Sequence, residues 1–280
     1  MKATRKIAIL TLFIALFTAI AVMLYPSVQR YRNTQLQLNT VAEYKNIIAE
    51  ADSAGFEDMR KAAIDYNIKL RELAHPLVQA NKLEGYDTLL NLDGKGIMCY
   101  LSIDKIHVQL PVYHGTDEDV LNNACGHIEG TSLPVGGIGS HCVISAHRSL
   151  QASTLFTDLN ELIVGDIFTL TVFNDVLTYQ VDQIKIVLPT ETSDLKIDEN
   201  CDFCTLMTCT PYGVNSHRLL VRGKRISNIS ESTKQNRITA EAHMIDRSTA
   251  ASAGAMPFLF VLIIYILFKP TVRKFEIDGD

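Results

Sequence analysis

Residues 203–225 read FCTLMTCTPYGVNSHRLLVRGKR. Two runs rich in β-formers, Phe203–Cys209 and Arg218–Arg222, flank a stretch holding Pro211, Gly213 and Asn215. Such a stretch punctuates two strands that pair as neighbours. The same texture extends back to Ile97, with short segments at Ile97–Ile103, Val108–Val112, Cys142–Ala146, Ile167–Phe173 and Leu177–Leu188. That spacing predicts a closed or nearly closed antiparallel β structure. One helix is expected at Asp117–Asn123, capped by Thr116.

Upstream the pattern changes. Residues 34–73 are rich in Ala, Leu, Glu, Lys and Gln and contain no Pro. Val41, Tyr44, Ile47 and Ile48 recur at three- and four-residue steps, which predicts helix. Gly55 is expected to divide it into a hairpin, and Pro76 to end it. Residues 74–96, with Gly85, Gly94 and Gly96, read as irregular.

Both chain ends are apolar. Ile7–Tyr25 and Ala250–Phe268 are each 19 residues without a charge. At about 1.5 Å per residue, each spans roughly 28 Å, close to the hydrocarbon thickness of a bilayer. A cleaved signal peptide is the competing reading of the first run, but its apolar core would be about 7–15 residues long. A buried core helix is the competing reading of the second, which shows no polar stripe. Lys2, Arg5 and Lys6 precede the first run, and Lys269, Arg273 and Lys274 follow the second. The positive-inside bias then sets both termini in the cytoplasm and residues 26–249 outside. The chain reads as a cytoplasmic N-terminus (1–6), a span (7–25), a helical arm (26–96), a β domain (97–225), a polar tether (226–249), a second span (250–268) and a cytoplasmic tail (269–280).

The whole chain of 280 residues has net charge −5. Between the apolar runs, 20 basic and 28 acidic residues give −8. Such a surface suits neither nucleic acid nor the anionic headgroup plane. Asn228-Ile229-Ser230 matches a glycosylation sequon, a short pattern of little specificity.

Six cysteines allow disulfides in an exported segment, but their spacing is irregular. Cys201 and Cys204 form a C-x-x-C, readable as structural thiols, a redox pair or half a zinc site. No second C-x-x-C or H-x-x-x-H accompanies it, so no metal and no cofactor is expected. Cys99, Cys125 and Cys142 read as packed thiols. Cys209 differs: it closes a strand ahead of a turn, which presents a thiol. Nine residues on, Arg218 opens the next run, so a hairpin-like return would bring its guanidinium beside that thiol. A five-donor cation there favours thiolate and suits a developing oxyanion. A surface ion pair is the competing reading of Arg218. A Cys nucleophile also needs a proton donor, and of eight histidines His147 alone ends a strand-like run ahead of a loop.

Whole segments carry more than spacing. Thr205–Cys209 followed by TPYGVNSHRLLVRGKR resembles the active-site signature of sortases, the cysteine transpeptidases of Gram-positive cell surfaces. LPVYHGT (110–116), GHIEGTSLPVGG (126–137) and SAHRSLQASTLFTDLNEL (145–162) are similar to the pilus-building class C. The resemblance covers about residues 86–225. It implies an eight-stranded β-barrel and a catalytic triad of His147, Cys209 and Arg218. Thr205, Leu206 and Thr208 would help bind substrate. It implies attack by Cys209 on the Thr–Gly carbonyl of a Leu-Pro-x-Thr-Gly-like sorting signal. A thioacyl enzyme forms, and a pilin Lys displaces it as an isopeptide bond. The implied partners are pilin subunits and the membrane, with lipid II or peptidoglycan as another acceptor and no nucleic acid. Attachment of surface proteins to peptidoglycan is the alternative enzyme reading, and a surface scaffold the non-enzymatic one. Many pilus sortases carry a lid with an Asp-Pro-aromatic anchor. Residues 75–91, HPLVQANKLEGYDTLLN, hold no Asp-Pro, so no autoinhibitory residue is assigned.

Overall fold

The computed structural model describes residues 2–51, 53–92, 94–148 and 155–228. The expected second span, most of the tether and the tail lie outside the described residues. The chain divides into two units, residues 1–28 with 239–280 and residues 29–238. In the first, the described residues belong to helix α1, Lys2–Glu50, which continues through Pro26. Among the described residues, this helix is the one long and apolar enough to cross a membrane, with a most apolar window of mean hydropathy 2.0.

The second unit is built on eight strands: β1 Ile97–Ile103, β2 Val108–His114, β3 Cys125–His127, β4 Ser140–Ser145, β5 Ile167–Val172, β6 Asp175–Val187, β7 Asp202–Thr210 and β8 His217–Ile226. They close in the order β1-β2-β3-β4-β7-β8-β6-β5. The expected closed barrel is present, but two of its pairs, β2–β3 and β4–β7, are parallel rather than antiparallel. Parallel neighbours need a crossover. Short helix α4, Glu118–Leu121, lies in the first crossover, and β5 with β6 makes the second. Asp117, not Thr116, precedes α4, and its side chain makes no cap bond.

β3 has no counterpart in the sequence reading, because three residues, Cys-Gly-His, cannot display alternation. Gly126 at its centre lies so close to the Gly115 carbonyl oxygen that no Cβ fits between them. Gly126→Ala will therefore cost about 1–3 kcal/mol, the usual penalty of overpacking, read as a lowered midpoint in thermal or urea unfolding. An unchanged midpoint would refute the close approach.

The barrel interior follows from alternation. On β7, Cys204 and Leu206 point inward, and on β8, Leu219 and Val221 meet them; all are at most 4% exposed. The helical arm caps one side. It breaks at Ala51, not at Gly55, and α2 runs Ser53–Arg71 with Gly55 inside it. One interior Gly costs a helix only about 1 kcal/mol, whereas Asp and Ser favour helix starts. Pro76 opens the short helix α3, Pro76–Gln79, rather than ending the long one. Tertiary contacts fix the arm. Phe56 stacks on Phe173 at 4.9 Å. The buried Tyr44 hydroxyl donates to the Met98 carbonyl and accepts from the Phe173 N–H. The Asn67 amide exchanges two hydrogen bonds with the backbone of Leu133.

Candidate active site

Three strands set the site. β7 lies between β4, parallel to it, and β8, antiparallel. Residues 203, 205, 207 and 209 of β7 face outward, opposite the inward Cys204 and Leu206. The β7–β8 register pairs Cys209 directly with Arg218, the proximity that a hairpin-like return would bring. Both are partly exposed. The turn between them contains a cis Thr210–Pro211 bond, Gly213 at φ 76° and Asn215 at φ 58°. Arg218 donates through Nη1 to the carbonyls of Asn215 (3.3 Å) and His217 (3.2 Å), which holds it on its own turn.

His147 arrives from the other side. Ser145 of β4 is level with Met207, and His147 follows two residues past Ser145 as Cys209 follows two residues past Met207. The Ala146 N–H donates to the Met207 carbonyl (3.2 Å), which keeps the departing chain on β7 for one more residue. The three residues proposed from the sequence thus stand at one end of three adjacent strands.

The other candidates are placed differently. Leu206 and Thr208 face the barrel interior at 0% and 1% exposure. The Thr208 hydroxyl donates to the Ala146 carbonyl (2.7 Å), a tie from β7 to the strand end carrying His147. Thr205 is on the outer face but 1% exposed, beneath His141. On this part of β7, Met207 and Cys209 are partly exposed, whereas Leu206 and Thr208 are buried. His141 Nδ1 meets the Lys196 carbonyl (2.8 Å), so the His141–Thr205 pair pins the β6–β7 connection to the barrel.

This arrangement suits neutral His141, with Nδ1–H donating and Nε2 accepting from the Thr205 hydroxyl. Burial lowers its pKa, and Arg222 lowers it further against the Lys196 carbonyl, Asp182 and Asp194, which raise it. Burial likewise lowers His114. A histidine with a depressed folded-state pKa leaves stability intact above the unfolded value of about 6.5 and costs stability as pH falls below it. The melting temperature will therefore drop between pH 7 and pH 5, and the drop will be smaller in His141→Asn. An equal drop in that variant would exclude His141 as a cause.

The remaining thiols differ from Cys209. All six cysteines are free, and Cys99, Cys125, Cys142 and Cys204 are buried. Burial pushes Cys99, Cys125 and Cys204 well above the ordinary thiol range, so they stay protonated. Cys201 is partly exposed but precedes β7, roughly 26 Å from Cys209 at strand rise. Ahead of the barrel, the backbone of Pro76 and Leu77 lies against Gly130 so closely that a Cβ there would come within 2.7 Å of Leu77 Cα. Leu77 packs on an outer apolar cluster with Val143, Met207 and Leu220, on the same sheet face as Cys209.

A closed mixed barrel with a strand-end cysteine in register with an arginine defines a protein class, and comparison with known proteins specifies it. A family model for the sortase domain matches residues 101–226. Sortase D of Bacillus subtilis (strain 168) is 32% identical over 130 residues, 45% of this chain and 63% of that protein. The match thus spans somewhat less than two thirds of that relative. The crystal structure of sortase C1 from Streptococcus agalactiae is 41% identical, with TM-score 0.63, covering 68% of this chain and all of that one. Sortase C-1 from Streptococcus pneumoniae is also 41% identical, with TM-score 0.61, covering 68% of this chain and all of that one. The chain belongs to the sortase family of cysteine transpeptidases, and its solved relatives include class C sortases.

Proposed function

We propose that this protein is a membrane-anchored transpeptidase that cleaves a Leu-Pro-x-Thr-Gly-like sorting signal between Thr and Gly and joins it to a Lys of a pilin subunit. The observation that carries the reading is the Cys209–Arg218 register pair, with His147 just past the end of the neighbouring strand β4. Similarity to the sortase C proteins supports the pilus acceptor. In this mechanism the Cys209 thiolate attacks the Thr carbonyl carbon. Negative charge grows on the carbonyl oxygen, and Arg218 donates to it. The C–N bond to Gly breaks as His147 gives its proton to the leaving amine. The Thr acyl group stays on Cys209 as a thioester. A neutral pilin Lys amine attacks next, loses its proton to His147 and releases the thiolate.

The proposed organisation keeps residues 7–25 as an anchor and 250–268 as a second span, with residues 26–249 outside. The length and apolarity of α1 support the anchor. Protease added to intact cells would digest the 26–249 part and spare both termini; digestion of a C-terminal tag would refute the two-span arrangement.

The direct test incubates the full-length protein in detergent with Leu-Pro-x-Thr-Gly peptides. Mass spectrometry should find the peptide, minus its part from Gly onward, on Cys209. A pilin-derived Lys peptide should then release it faster than a peptidoglycan stem-peptide amine. No adduct on Cys209 would sink the transpeptidase reading. Preference for the stem amine would replace the pilus acceptor with the cell wall.

A further inference from the structure

We propose that Arg148 is a positioning residue that sets His147 against the end of β7. The proposal rests on the roles given above to His147 and Cys209.

The His147 ring has no hydrogen-bond partner among the described residues. Catalytic histidines are ordinarily aimed by a group on the second ring nitrogen. Here the aim depends on the backbone that carries the ring. His147 lies beyond the last residue of β4, where the strand ladder no longer fixes it. Two bonds hold the chain just there: the Thr208 hydroxyl donates to the Ala146 carbonyl, and the Phe156 N–H donates to the His147 carbonyl (3.0 Å).

Arg148 joins these points into one frame. Its Nη1 donates to Thr210 Oγ1 (3.0 Å), one residue past Cys209. Its Nη2 donates to Asn160 Oδ1 (2.7 Å) and its Nε to the Thr157 carbonyl (3.2 Å). Its own carbonyl accepts from the Thr157 hydroxyl (2.8 Å). Thr157 and Asn160 belong to the returning limb of the β4–β5 connection, which Leu155, Phe156 and Leu159 anchor in the core at no more than 1% exposure. One planar guanidinium therefore ties three segments together: the strand end bearing His147, the strand end bearing Cys209 and a limb rooted in the core. All three acceptors, two side chains and one backbone carbonyl, are neutral, so the group serves geometry rather than an ion pair. A lysine keeps the charge but cannot span three acceptors with one amine.

The test uses full-length protein in detergent with the variants Arg148→Lys, Arg148→Gln, His147→Ala and the double variant His147→Ala/Arg148→Gln. Single-turnover formation of the Cys209 adduct should fall about 10- to 100-fold in both Arg148 variants, the scale of misplacing a reacting group by about 1 Å. The peptide concentration for half-maximal rate should stay within about threefold, and melting temperatures within about 2 °C, the low end of the shift a modest stability loss produces in a domain of this size. A residue acting through His147 adds nothing once His147 is gone, so the double variant should match His147→Ala. Wild-type rates in Arg148→Gln, losses that add to that of His147→Ala, or losses that follow a lowered melting temperature would each overturn the proposal.

A second readout does not need the substrate. The rate of Cys209 alkylation by iodoacetamide, located by mass spectrometry, should change alike in His147→Ala and Arg148→Gln. A change in the first variant alone, or in neither, overturns the positioning role. If the wild type makes no peptide adduct while the two alkylation rates move together, the transpeptidase reading fails and the positioning of His147 stands.

Discussion

Cys209→Ala will abolish peptide cleavage and polymer formation, lowering the rate by more than about a thousandfold. The size of the loss follows from what the rest of the chain can supply. Covalent catalysis splits one difficult acyl transfer into two easier ones, and the split needs a nucleophile at the strand end. No other thiol can serve. Cys99, Cys125 and Cys204 are buried and held protonated, Cys142 is equally buried, and Cys201 stands at the far end of β7. A water molecule at the vacated position would meet Arg218 and His147, but it would lack the thiolate's nucleophilicity. Folding should be indifferent to the change, because Cys209 faces outward and is partly exposed. The check is cleavage of a fluorogenic sorting peptide alongside a melting curve. Retained turnover above about 1% of wild type, an excess over the expected thousandfold loss, would remove Cys209 as the nucleophile.

Much of this placement was legible because it depends on local pattern. Seven of the eight strands announce themselves by β-branched runs between turn residues, and β3 does not because it is three residues long. The Cys209–Arg218 pairing is suggested by the turn residues between two β-rich runs, but the spacing alone also allows a surface arginine, and the β7–β8 register decides between them. The position of His147 needs the parallel β4–β7 pairing, which joins segments about sixty residues apart and leaves no local trace. The same gap explains Leu206 and Thr208. Alternation separates them from Cys209, yet which face is the interior depends on partners elsewhere in the chain. The arm's break at Ala51 instead of Gly55 has a related origin, because packing of Phe56 on Phe173 outweighs a single unfavourable helix residue. Arg148 carries a weak signal, its place next to His147, and nothing in the sequence points to Thr210, Thr157 or Asn160 as its acceptors.

Arg218→Lys will reduce turnover by about a hundred- to a thousandfold, equivalent to roughly 2.7–4 kcal/mol of transition-state stabilisation. The charge survives this substitution, so the loss isolates geometry. Arg218 commits Nη1 to the carbonyls of Asn215 and His217, which fixes the guanidinium plane on the turn after Cys209. A planar fork held at one corner still has donors at fixed angles for an oxygen that becomes negative only during the reaction. An ammonium on a flexible stem must choose between those turn carbonyls and the oxyanion, and it pays rotamer entropy for either. The defect should therefore appear in kcat, because the interaction strengthens only as charge develops, while KM changes little. A raised KM with normal kcat would instead assign Arg218 to holding the bound signal. Near-normal values of both would leave it as an outward-facing arginine whose pairing with Cys209 has no part in the chemistry.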